Sequence, residues 1–219
     1  AFVRLMIAAL RAQERDNAQY EMFEMMYRLN VYSDIPWEIF TPFLFEMFSE
    51  TAFFDYTKVP ARETPPNYHL TFSFSGFNKP WCMEEMSRGR GITVVFMTYP
   101  GVAPTTAAAR REIKAQSTRA RPIAIGKTEL YPVNSFWGAP VVSGDMYDLR
   151  PLDGTALSRI GQNPNGGHVV WLDYKLPTNR DHTGTVRAKE LGSFVVDAFY
   201  DAETGTVLAP ETPSETRMV

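Results

Sequence analysis

Two different periods of apolar and polar positions run along this chain. Phe2, Leu5, Met6, Ala9 and Leu10 recur at helical spacing, with Arg4, Arg11, Glu14 and Arg15 on the other face, so the start predicts an amphipathic helix. A short helical stretch over 19–25 continues it. In MMYRLNVYSD the period changes to two: Leu29 and Val31 fall on one face, Arg28, Asn30, Tyr32 and Asp34 on the other. Ser33 or Asp34 is placed to cap a helix over 36–48, with Pro36 and Glu38 in its first turn. Phe40, Leu44, Phe45 and Phe48 would pack that helix on a sheet. TAFFDYTK is the next strand, followed by the Pro-rich connection VPARETPP. NYHLTFSFSG alternates most cleanly, with Tyr68, Leu70, Phe72 and Phe74 against His69, Thr71, Ser73 and Ser75.

A short helix over 79–88 leads to GITVVFMTYP, an apolar β-rich run bounded by Gly91 and Pro100. WGAPVVSGD and GGHVVWLDYK are further strands. The Ala/Arg/Thr-rich stretch 101–128 reads as a surface insertion, helical over 107–116. From 178 the pattern is less regular: one strand in GSFVVDAFYD, a turn in ETGTVL and a Pro/Thr/Glu tail expected to be disordered. The expected division is therefore a main domain over 1–177 and a C-terminal part over 178–219. Strand, helix, strand, strand, helix, strand is the order of an α/β domain. The expectation is a partial (β/α) barrel, or an open, mostly parallel twisted sheet with flanking helices.

Composition narrows the classes. At 219 residues, 44% hydrophobic and 21% charged, the chain is not an intrinsically disordered one. A net charge of −3 with scattered basic residues gives no electrostatic footprint for nucleic acid. The single cysteine, Cys82, excludes a disulfide scaffold and a self-contained thiolate metal site within this chain, and on its helix it reads as a small packed residue. Charges interrupt every apolar stretch, so no membrane span is expected and the location expected is cytoplasmic. The first residue is Ala1, and the chain reads as a fragment or processed product whose true beginning is missing.

Polar residues gather at the C-terminal ends of the expected strands, the edge where α/β barrels and open sheets place their chemistry. Asp34, Asp55, Asp145 and Asp148 would converge there if the sheet is parallel, to hold Mg²⁺ or Mn²⁺ or to supply a general base. Capping of helices and turns is the alternative. Lys58 would bind an anionic substrate group inside the polar mouth, or form a Schiff base, unless it is a surface lysine paired with an aspartate. Arg150 is a second anion ligand or a structural ion pair with Asp148 or Asp153. Ser73 and Ser75, with Gly76 and Asn78, could cradle an anionic cofactor, and Asn30 lies on the same rim. His69 reads as a satisfied interior histidine. His168 and His182 lack zinc-protease spacing, and neither a nucleophile elbow nor a phosphate loop is present.

Taken in order, RLNVYSDIPWE, FFDYTKVP, NYHLTFSFSG, GITVVFM and FWGAPVVSGDMYDLRPLD resemble a family of phage- and plasmid-borne "gene product" proteins, over about residues 2–153. The resemblance implies a partial α/β barrel somewhat like radical S-adenosylmethionine enzymes, and a Cys-rich segment upstream of the first helix. It names no reaction. From the gathering of polar residues at the strand ends, Asp55, Lys58 and Asp145 are expected to be catalytic. Asn30, Ser73, Ser75 and Arg150 would bind a cofactor, and Asp34 and Asp148 a metal. The cofactor would be an iron–sulfur cluster with ligands in the missing segment, or a divalent metal. A small-molecule or nucleotide ligand is the expected partner. The alternative is a non-catalytic module for a nucleotide, nucleic acid or a host protein.

Overall fold

A computed structural model describes residues 2–17, 26–100, 135–145, 148–159, 161–174, 194–201 and 206–208. The expected elements over 19–25 and 101–128, the C-terminal tail and His182 lie outside them. The chain forms two compact units, Ala1–Leu70 and Thr71–Val219, and strand β3 (Tyr68–Ser73) runs from the first into the second.

The first unit begins with helix α1 (Phe2–Asn17), followed by β1 (Met26–Arg28), α2 (Trp37–Phe40), α3 (Pro42–Met47) and β2 (Ala52–Thr57). β1 and β2 are parallel, with Met26 beside Ala52 and Arg28 beside Phe54. Leu10, Trp37, Leu44, Phe45, Phe48, Phe53, Tyr68 and Leu70 form the core. Phe45 stacks on Tyr68 at 4.7 Å and meets Phe53 edge-on at 5.2 Å. Each such side chain contributes about 1.5–3 kcal/mol by burial. Asn67 ties off α3 by donating from Nδ2 to the carbonyls of Phe45, Phe48 and Thr51.

Two expectations need correction here. The strand expected through Leu29 and Val31 stops at Arg28, and Val31 and Tyr32 are exposed. The single helix expected over 36–48 is two short ones. Pro42 has no N–H to continue α2 and forces Thr41 out of helical geometry, at φ −142° and ψ 55°.

In the second unit the strand order is β3-β4-β7-β6-β5, with β4 at Gly91–Pro100, β5 at Ser135–Phe136, β6 at Ala139–Ser143 and β7 at His168–Asp173. The pairs are parallel except for the β5–β6 hairpin. β8 (Val195–Asp201) also runs parallel to β4, and β9 (Thr206–Leu208) folds back on β8. Val95 and Phe96 pair with β7 and β8 at once, so β8 takes over the edge of β4 that β3 occupies at Ile92 and Thr93.

Helix α4 (Lys79–Ser87) covers one face of this sheet, where Cys82 and Met86 join Phe72, Ile92, Val94, Phe96 and Trp171. Its buried Glu85 is held by Arg90 at 2.7 Å and Arg88 at 3.2 Å. Helix α5 (Asp153–Arg159) covers the other face through Ala156 and Leu157 against Val142 and Val170. With helices on both faces, the sheet stays open and mostly parallel and does not close into a barrel. The β5–β6 turn places Trp137 at φ 54° and Gly138 at φ 74°, the left-handed pair that a two-residue hairpin needs. A bulky residue seldom adopts that geometry. Trp137 is held there by Phe136 at 4.7 Å and Phe74 at 5.0 Å.

Candidate functional site

In the first unit the polar residues expected at the rim come together as a buried network. Asp55, fully buried in β2, accepts from the Asn30 backbone N–H at 2.6 Å, Asn30 Nδ2 at 3.2 Å and the Tyr68 hydroxyl at 2.8 Å. Burial raises its carboxyl above the ordinary range against the pull of those donors and of Arg28 and Arg62. Burial, with Asp55 alongside, likewise raises the Tyr68 hydroxyl. Asn30 also closes the following loop. Its Oδ1 accepts from Ser33 Oγ at 2.8 Å, Trp37 Nε1 at 2.9 Å and the Ile35 N–H at 3.3 Å, and its Nδ2 donates to the Ile35 carbonyl at 3.0 Å. That is why β1 ends where it does.

Asp34 does not cap the helix that follows, whose N-cap is Pro36. It accepts from the Thr57 hydroxyl at 2.8 Å, the Lys58 backbone N–H at 2.8 Å and Arg62 at 2.8 Å. Arg62 grips Glu38 through two bonds of 2.7 and 2.6 Å, both side chains buried. Its guanidinium carbon lies 6.0 Å from the Tyr68 ring centroid. Arg62, Glu38, Thr57 and Tyr68 were absent from the sequence-based set. The available signal was an arginine inside VPARETPP, delivered by Ala61 at φ 57°. The Lys58 side chain is exposed to solvent, the surface-lysine alternative, and its backbone N–H donates to Asp34. His69 is exposed as well, not interior.

In the second unit Ser73 and Ser75 are half-buried at the end of β3. Asn78 fixes their backbone, accepting the Ser75 N–H at 2.7 Å and donating to the Ser73 carbonyl at 3.0 Å. Asp145, just past β6, accepts the Asp173 N–H at 2.5 Å, and Asp173 accepts from Trp171 Nε1 at 3.0 Å. The sequence-based set lacked Asp173, although it ends the apolar run HVVWLD as Asp145 ends its own. Asp148 is exposed. Arg150 is buried 3.4 Å from Asp153, the structural-pair alternative, and Asp153 meets His168 Nε2 at 3.2 Å. His168 opens β7, so Arg150 belongs to the N-terminal end of that strand and not to the rim of Asp145. A Cβ on Gly91 would come within 2.7 Å of His168 Nε2, which is why glycine stands there.

Among the described residues no three His, Cys, Asp or Glu side chains form a metal-holding group. Burial pushes the Cys82 thiol up to about 12, and the side chain packs in the core beneath α4. No described helix is long and apolar enough to cross a membrane. Residues 1–138 match the sequence profile of a phage family described as Gene product 88. That match carries the gene-product resemblance and lends nothing to the likeness with radical S-adenosylmethionine enzymes. No curated protein and no solved structure matches the chain.

Proposed function

The chain belongs to the Gene product 88 family of phage gene products, and from that premise we propose that it acts as a protein-binding module whose first unit presents a braced apolar surface to a partner. The observation that carries this reading is a contrast within one short stretch of chain. Asn30, Asp34, Glu38, Asp55, Arg62 and Tyr68 spend their polar atoms on each other. The segments they pin leave Val31, Tyr32, Ile39 and Phe40 in solvent, Ile39 at 71% and Phe40 at 67% exposure.

Large apolar side chains on a pre-ordered surface are the usual anchors of protein interfaces, because little conformational freedom is lost when they dock. Phe43 and Met47 extend the exposed apolar positions along α3. Carboxylates outnumber Lys and Arg within residues 1–70, so the partner would carry an apolar patch ringed by basic side chains. Nucleic acid is disfavoured by the same charge.

The test compares the full chain with the double variant Tyr32→Ser/Phe40→Ser as bait in lysate of phage-infected cells. A retained protein is then purified and titrated against both by calorimetry. The reading expects saturable binding to the parent chain, at least about tenfold weaker binding to the variant and unchanged melting. Equal binding to both, or no saturable partner, would overturn it.

A further inference from the structure

We infer that the partner of the first unit's surface is a second copy of this chain, paired about a two-fold axis so that α1 of each copy lies on α2 and α3 of the other. The inference rests on the reading of that unit as a docking surface and names its occupant. It starts from a helix that is apolar over more of its circumference than its own core covers. Met6, Ile7 and Leu10 of α1 pack inward. Phe2, Leu5 and Ala9 share a second stripe at helical spacing, and that stripe lies in solvent, with Leu5 at 70% exposure. A surface helix needs one apolar face for its core, so the second is left for another surface.

Charge selects the occupant. On α1 the exposed Arg4, Arg11 and Arg15 outnumber the exposed Asp16. On α2 and α3 the exposed rings of Phe40 and Phe43 are bordered by exposed Glu46 and Glu50, and no Lys or Arg lies between Arg28 and Lys58. One chain thus carries an apolar basic strip and an apolar acidic strip, each the complement of the other. The strips run side by side in the same direction. The Phe2 ring lies 6.1 Å from that of Trp37, Arg11 donates to Met47 Sδ at 3.3 Å, and Thr51 donates to Glu14 Oε1 at 2.9 Å. A two-fold axis along the seam between them exchanges the strips and keeps positions along the helices. Leu5 of one copy then comes level with Phe40 of the other, and Arg11 and Arg15 with Glu46 and Glu50. The same contact is made twice and closes on itself.

Sedimentation equilibrium of the full chain at neutral pH tests the pairing. The expected result is a concentration-dependent dimer of twice 24.8 kDa that grows no further. Leu5→Ser/Phe43→Ser should weaken it at least about tenfold with melting unchanged. Arg11→Glu/Arg15→Glu and Glu46→Arg/Glu50→Arg should each dimerise at least about tenfold more weakly alone and recover the dimer when mixed, because both contacts of the mixed pair again join opposite charges. An effect confined within one chain is not repaired by mixing. A dimer that keeps its strength in Leu5→Ser/Phe43→Ser, a mixture that stays monomeric, or masses that climb past the dimer would overturn the inference. A parent chain that stays monomeric while a lysate protein binds it through Tyr32 and Phe40 overturns the second copy as occupant and leaves the docking surface standing. A monomer that retains nothing from the lysate overturns both.

Discussion

Asp55 shows how much a single position decides. It accepts three hydrogen bonds in a fully buried setting, so Asp55→Ala strands the Asn30 and Tyr68 donors and is expected to cost about 2–4 kcal/mol. Lys58→Ala, three residues on, removes only an exposed side chain and should stay within about 0.5 kcal/mol of the parent in urea denaturation. Equal losses in the two would contradict the network. Asp55 also sets a pH dependence. Burial raises its carboxyl above the ordinary 3.8, so between that value and its folded value the native state holds a proton that the unfolded chain has released. The stability it contributes is therefore complete below the ordinary value and is lost as pH rises through the folded one. Urea midpoints of the parent relative to Asp55→Asn should fall with rising pH across that window. A difference that does not change with pH would remove burial as the dominant influence. The sequence carried Asp55, Asn30 and Asp34 as rim residues because polar side chains at strand ends are visible in a pattern of two. It could not carry what they bond to, since Arg62 and Glu38 lie 24 residues apart and meet only in the fold.

At the scale of elements, the sequence pattern served wherever an element is long. α1 and β3 lie where helical spacing and alternation put them, and β4 and β7 lie in continuous apolar runs. It failed at short ones. The seven-residue α5 offers only Ala156 and Leu157 to the core, too few to set a period, and β5 has two residues. Pro42 was legible as a breaker, yet the apolar run around it reads as one helix. Glycines make the local demands separable. Gly138 has open space around it but φ 74°, so Gly138→Ala should cost about 1–2 kcal/mol from left-handed backbone alone. Gly167 abuts the Met86 carbonyl of α4, so a methyl there must push backbone, at about 1–3 kcal/mol. Cys82 lies one turn from Met86, is buried, and is the chain's one thiol, which makes its labelling a clean reporter of α4. Gly167→Ala should speed that labelling in native buffer more than Gly138→Ala does. Equal rates would mean that close packing at Gly167 does not hold α4.

At the scale of the whole molecule, the order of strands and helices was enough for an open α/β fold, because parallel strands need crossovers long enough to leave a mark in the sequence. Which edge β8 joins was not legible: that depends on β3 leaving β4 after Thr93, a choice made by the Asn78 turn. Nor was the exposure of Tyr32, which alternation assigned to a strand face. Charge and exposed apolar surface together have a consequence for the chain in solution. The net charge is −3 and the pI about 5.7, so mutual repulsion fades as the pH is lowered toward that value. Short-range attraction between apolar patches then governs association. Light scattering of the parent should give an apparent mass that rises as pH falls from neutrality toward 5.7. Tyr32→Ser/Phe40→Ser leaves the charge unchanged and removes two of the exposed rings, so its curve should be flatter. If both curves rise alike, the attraction lies outside the first unit's surface, and the same surface would lose its claim as the anchor for a partner.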